Sequence, residues 1–112
     1  MDKNKDLIKK KINIYIETLR NHINIDKVIL FGSWAKGNPS EFSDIDLAIF
    51  SPDFGENKLK ELQLLSKLSW QVDETIEAVP YSSNELNNLE PASFVHEIIE
   101  SGETIYDRKI TH

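Results

Sequence analysis

Two aspartates, Asp44 and Asp46, open the apolar run Ile45-Asp46-Leu47-Ala48-Ile49-Phe50. Side chains alternate between the two faces of an extended strand. Both carboxylates therefore point one way, while Ile45, Leu47 and Ile49 point the other way into a core. Two carboxylates on one face of a rigid strand form a pincer for a hard cation. Magnesium suits it, because that ion takes one or two carboxylates and completes its shell with substrate phosphates and water. An isolated Asp-x-Asp is more often the solvated face of a strand, so the pair gains weight only from what precedes it.

What precedes it is another apolar run, Val28-Ile29-Leu30-Phe31, closed by Gly32-Ser33. Gly32 has no Cβ, so a ligand can approach the backbone closely. Ser33-Trp34-Ala35-Lys36 can make one helical turn, and the first amides of such a turn attract an anion. The Ser33 hydroxyl adds a donor, and Gly37 lets the turn stop. No Walker-type Gly-x-x-x-x-Gly-Lys-Ser/Thr motif is present. The informative feature is the order: strand, Gly-Ser, short turn, short connection, then Ser43-Asp44-Ile45-Asp46 on a strand. It pairs a phosphate-holding half with a magnesium-holding half. Gly32 and Ser33 are the candidate nucleotide-binding residues, with Asp44 and Asp46 serving both nucleotide and metal.

The pattern Gly-Ser-x-Ala-x-Gly, followed by Ser-Asp-Ile-Asp-Leu-Ala, resembles the nucleotidyltransferases of the DNA polymerase β superfamily. Within that group it is similar to the minimal nucleotidyltransferases of bacteria and archaea. The resemblance runs from the first helix to Tyr106. It implies a nucleotidyltransferase fold, ATP as substrate, Mg2+ as cofactor, and a third carboxylate on a neighbouring strand. Asp73 follows Val72 and is the favoured candidate, although Glu74 stands where the family usually has an apolar residue. Glu77, flanked by Ile76 and Ala78 and of the same strand parity, is the rival. The expected catalytic and metal-binding set is thus Asp44, Asp46 and Asp73. In the implied reaction, a hydroxyl attacks the α-phosphorus of ATP and expels pyrophosphate, with two metal ions flanking the transfer.

Minimal nucleotidyltransferases often accompany a small all-helical HEPN protein that resembles an RNase toxin. The resemblance therefore implies an antitoxin that adds AMP to its HEPN partner. A protein of the same fold that neutralises its partner by contact alone is the alternative from another functional class. Transfer to a small hydroxylated molecule is a third reading.

The elements that must position these residues follow from periodicity. Ile8, Ile12, Tyr15, Ile16 and Leu19 predict an amphipathic helix over residues 5–22. Strands are expected at 27–32, 44–50 and 72–79, with a helix over 56–68 carrying Leu59, Leu62, Leu65 and Leu68. Ser82 and Glu85 suggest a capped short helix. Pro91 marks the start of another helix, with Phe94, Val95, Ile98 and Ile99 on its apolar side and Gly102 at its end. Thr104-Ile105-Tyr106 completes the set as a short strand. The expected architecture is a single α/β (α+β) domain over 1–112: a small mixed sheet with helices mainly on one face and the acidic site on the other.

Composition sets the outer limits. The chain has 112 residues, of which 39% are hydrophobic and 29% charged, as expected for one soluble domain. It lacks cysteine, which excludes disulfides, thiolate metal sites and cysteine nucleophiles. No signal-peptide or membrane-spanning run is present, so a cytoplasmic protein with no membrane partner is expected. The net charge of −6 disfavours generic nucleic-acid binding. Lys3, Lys5, Lys9, Lys10 and Lys11 make the first helix basic against that background. This is either a solvated face or a contact surface for an acidic partner, in a homo- or hetero-oligomer.

Overall fold

The computed structural model describes residues 3–37, 44–87 and 90–109. The elements run α1 (Lys3–Arg20), β1 (Lys27–Phe31), α2 (Ser33–Lys36), β2 (Ile45–Ser51), α3 (Lys58–Trp70), β3 (Ile76–Ser82), the 3-10 turn η1 (Ser83–Leu86), α4 (Phe94–Ser101) and β4 (Glu103–Asp107). They form the expected mixed α/β arrangement around one four-stranded sheet of order β3-β2-β1-β4. β1 is antiparallel to β2 and β4, whereas β2 and β3 are parallel and joined by the crossover helix α3. Ser43 and the connection that precedes it lie outside the described residues. Among the described residues, no helix is long and apolar enough to cross a membrane.

Both faces of the sheet are covered. Val28 and Leu30 of β1, with Ile45, Leu47 and Ile49 of β2, pack against Ile8, Ile12, Tyr15, Ile16 and Leu19 of α1 and Leu65 and Leu68 of α3. Ile29, Ala48 and Phe50 have the opposite parity and pack against Val95 and Ile98 of α4. The larger helices thus share one face, as expected, but α4 and η1 occupy the face that carries the acidic residues. They cover only part of it.

Several boundaries depart from periodicity. Leu59 lies exposed, because a three-residue repeat falls behind the 3.6-residue helical turn and rotates steadily off the buried stripe. α4 starts after Pro91, where the Ser93 hydroxyl caps it by accepting the His96 amide at 3.0 Å. Gly102 ends α4 without a left-handed conformation. A Cβ there would collide with Ile29 and the Ile98 carbonyl, so close packing of helix on sheet demands the glycine.

The largest departure is at β3, which begins at Ile76 rather than Val72. The amides of Val72 and Asp73 donate to the Ser69 carbonyl at 2.9 and 2.8 Å, so this stretch closes off α3 instead of joining the sheet. Asp73 then holds the turn. It accepts from the Thr75 amide at 2.8 Å and the Thr75 hydroxyl at 2.5 Å, and its other oxygen pairs with Lys11 Nζ at 2.5 Å. The Thr75 carbonyl in turn accepts the amide of Ile45, the residue between Asp44 and Asp46. Burial alone would raise the Asp73 carboxyl, but the bonds from Lys11 and Thr75 and the Lys11 charge prevail and hold it at about 2.

A carboxyl depressed in the folded state stabilises the fold above its unfolded value of 3.8, and that contribution disappears as pH falls toward about 2. Asp73→Asn is therefore expected to lower stability at neutral pH, with the gap to wild type narrowing as pH drops below 4. Urea unfolding at pH 7 and pH 3 reads this directly. Equal stabilities at pH 7 would show that the Lys11–Asp73–Thr75 contacts contribute nothing.

Candidate active site

The sheet register builds the site. Phe31 pairs with Asp46 across β1 and β2, and Asp46 pairs with Glu77 across β2 and β3. Directly paired residues project to the same face of a sheet. A row of Glu77, Asp46 and Phe31 therefore crosses three strands on the face opposite α1 and α3. Asp44, one residue before β2, has the parity of Asp46. Asp44 and Glu77 are exposed, while Asp46 is half-buried.

Asp46 lies directly beside the Gly32 turn. Gly32 adopts φ 74°, ψ −150°, a backbone conformation that L side chains rarely take. A Cβ on Gly32 would overlap the Asp46 carboxylate. The glycine is thus required twice, for its dihedral angles and for the space that the carboxylate fills. α2 follows at once. Its short turn is closed by the Lys36 amide donating to the Gly32 carbonyl at 3.1 Å, and it ends at Gly37 with left-handed φ 79°. Trp34 is buried in the main core and anchors this turn, while Ser33 and Lys36 are exposed.

The electrostatics match this packing. Burial pushes the Asp46 carboxyl above its ordinary range, and the charges of Glu77 and Asp44 push it further. Three carboxylates that repel one another at one end of a sheet suit a divalent cation. Among the described residues, no three acidic or imidazole side chains already form a closed metal cage. Magnesium needs no such cage, since phosphate and water supply much of its shell. The donor set of Asp44 and Asp46, with Glu77 beside them, fits that ion.

The structure brings together Gly32, Ser33, Asp44 and Asp46. Asp73 is not in the sheet row, because the turn that breaks strand parity before Ile76 gives it to Lys11 and Thr75 instead. Glu77 occupies the row. Two further residues adjoin it. Phe31 stands directly opposite Asp46, and the ring of Phe94, the first residue of α4, meets Phe31 edge-to-face with centroids 6.0 Å apart. Periodicity placed Phe94 on the buried side of its helix, yet it is 57% exposed. His22 and His96 remain outside the row: His22 is exposed, and His96 pairs with Glu100 on its own helix at 3.4 Å. A cavity of about 590 Å³ lies at the other end of β1, bordered by Lys27, Ser83 and Asp107, and does not coincide with the carboxylates.

Comparison with known proteins identifies the family and the fold. The family model "Polymerase beta, Nucleotidyltransferase" matches residues 13–111. A candidate protein adenylyltransferase of Methanocaldococcus jannaschii is 32% identical over 100 residues, covering 87% of this chain and 96% of the relative. A chain of a toxin–antitoxin complex solved with AMP-PNP superposes with TM-score 0.57 at 25% identity, covering 90% of this chain and 74% of that one. The fold also recurs, with TM-score 0.53 at 23% identity and coverage of 90% and 73%, in a complex of a Shewanella oneidensis tri-AMPylated HEPN toxin with its MNT antitoxin. With a family model that spans residues 13–111, the chain belongs to the polymerase β nucleotidyltransferase family.

Proposed function

We propose that this nucleotidyltransferase transfers AMP from ATP to a hydroxyl of a partner protein, a small helical HEPN-type toxin that it thereby neutralises. The observation that carries the reading is the row of Glu77 and Asp46, joined by Asp44, beside the open Gly32–Ser33 turn. The relative with adenylyltransferase character and the toxin–antitoxin neighbour with AMP-PNP favour a protein acceptor and an adenine nucleotide.

Each residue has a role that its position supports. The Gly32–Ser33 turn receives the β- and γ-phosphates through backbone amides and the Ser33 hydroxyl. Asp44 and Asp46 would hold magnesium, which when bound neutralises phosphate charge and stabilises the leaving pyrophosphate. We assign the third carboxylate to Glu77, on the strand next to Asp46, in place of Asp73. Glu77 accepts the proton of the attacking hydroxyl. The new bond joins the acceptor oxygen to the α-phosphorus, and the bond between that phosphorus and the bridging oxygen of pyrophosphate breaks. Asp73 is a positioning residue: through Thr75 it fixes Ile45, and so the strand that aims the pincer. Catalysis rests on orientation and charge neutralisation.

Asp46 is expected to trade stability for function. A carboxyl raised in the folded state stabilises the fold below its unfolded value, and that contribution is lost as pH rises through the raised value. In metal-free buffer at neutral pH, Asp46→Asn should melt at a higher temperature than wild type while losing magnesium-dependent ATP binding. Thermal melts and calorimetry with and without magnesium test both halves. Unchanged magnesium dependence would remove Asp46 from the pincer.

Gly32→Ala should abolish transfer and cost roughly 1–3 kcal/mol of stability, because alanine must both hold a strained φ and displace the Asp46 carboxylate. Steady-state activity and denaturant titration would measure this; full activity in the variant would mean that the turn is not the phosphate cradle.

Incubation with the HEPN partner, ATP and magnesium should raise the partner's mass by one or more AMP units. Glu77→Gln should remove the gain while the two proteins still copurify, and folded Asp73→Asn should retain it. The reverse pattern returns the third carboxylate to Asp73. A partner that is silenced without any mass change would establish neutralisation by contact.

A further inference from the structure

We infer that Phe94, backed by Phe31, forms the nucleobase subsite of this enzyme: an aromatic platform that binds the adenine ring of ATP. The inference rests on the transferase reading above and adds a residue to it.

A single exposed phenylalanine is ordinary on a protein surface and by itself carries nothing. Three observations together give Phe94 a role. Its helix neighbours Val95 and Ile98 are buried in the core beneath α4, while the Phe94 ring is 57% exposed. Its orientation is set by the edge-to-face contact with Phe31, at 6.0 Å and 86° between rings. Phe31 is the cross-strand partner of Asp46 and the residue before Gly32. The ring is therefore held against the residue that pairs with the pincer and precedes the phosphate turn.

The order of the strands decides which substrate it meets. In a phosphoryl-type transfer, the attacking and leaving oxygens lie on opposite sides of the α-phosphorus. The leaving pyrophosphate belongs to the Gly32–Ser33 turn at the end of β1. The acceptor hydroxyl belongs to Glu77 on β3, across β2 from that turn. Phe94 packs on β1, on the nucleotide's side of the reacting phosphorus and away from the acceptor's approach. A flat apolar ring that is half-exposed there suits a nucleobase, since every base has a π-face for an aromatic side chain. The platform supplies binding to the base without dictating which base it is, so it contributes affinity for nucleoside triphosphates in general.

The test compares magnesium-ATP with magnesium-tripolyphosphate, which has the phosphates but no base, in calorimetry on the full chain. Phe94→Ala should weaken ATP binding by about five- to tenfold, the lower end of base–aromatic stacking, and leave tripolyphosphate binding unchanged. Phe94→Trp should restore or tighten ATP binding, which a loss of folding in the alanine variant would not predict. Equal ATP affinity in wild type and Phe94→Ala overturns the subsite, as does an equal loss for both ligands. Reduced AMP transfer to the partner at unchanged ATP affinity would also overturn it, by placing Phe94 with the acceptor. Wild type that binds neither ligand overturns the transferase reading and the subsite with it.

Discussion

The site depends on one constraint: β2 is packed on both of its faces and paired on both of its edges. Ile45, Leu47 and Ile49 are fully buried against α1 and α3, and Ala48 and Phe50 against α4. A slip of one residue in register would drive Asp46 into the α1–α3 core and expel Leu47. Removing a single buried leucine or isoleucine side chain costs about 2–5 kcal/mol, and an unpaired buried carboxylate adds more. The direction of Asp46 is therefore fixed by apolar burial of the rest of its strand. Everything else in the site is arranged around that direction.

Around Asp46 the molecule keeps a local conflict. The carboxylate is half-buried, next to two other carboxylates, and fills the space left by the missing Cβ of Gly32. In the absence of a cation this arrangement raises the energy of the charged form. A divalent cation held between these carboxylates would relieve it. Strain of this kind is retained where function requires it and opposed by consistent packing in the surroundings.

The basic first helix illustrates how tertiary pairing alters a charge pattern. Lys5 and Lys9 both reach Glu103 of β4, at 3.0 and 2.9 Å, and Lys11 reaches Asp73. Glu103 is held below the ordinary carboxylate range by those two lysines. Much of the positive stripe is thus directed inward, fastening α1 to β4 and to the turn before β3. The pair with Asp73 does most for the site, because the same carboxylate sets Thr75, whose carbonyl receives the Ile45 amide.

The sequence by itself determined the α/β class, the number of strands and the places of β1, β2 and β4, the amphipathic α1, the Gly32–Ser33 turn and the orientation of Asp44 and Asp46. These follow from local rules: period-two burial along β2, period-3.6 burial along α1, and a glycine where φ must be positive. The tertiary structure decided what depended on contacts distant in sequence. Counting parity from Val72 put Asp73 and Glu77 on the same face, but parity holds only within a continuous strand. The amides of Val72 and Asp73 bond back to Ser69, the strand starts at Ile76, and Lys11, far away in the chain, takes the Asp73 carboxylate. Phe94 likewise fits the apolar stripe of α4 by spacing, and is exposed because a helix of two turns on a small sheet leaves its first residue beyond the core edge. Which carboxylate stands beside Asp46, and which ring beside Phe31, was set by strand register and helix placement, and neither is encoded in the local spacing of residues.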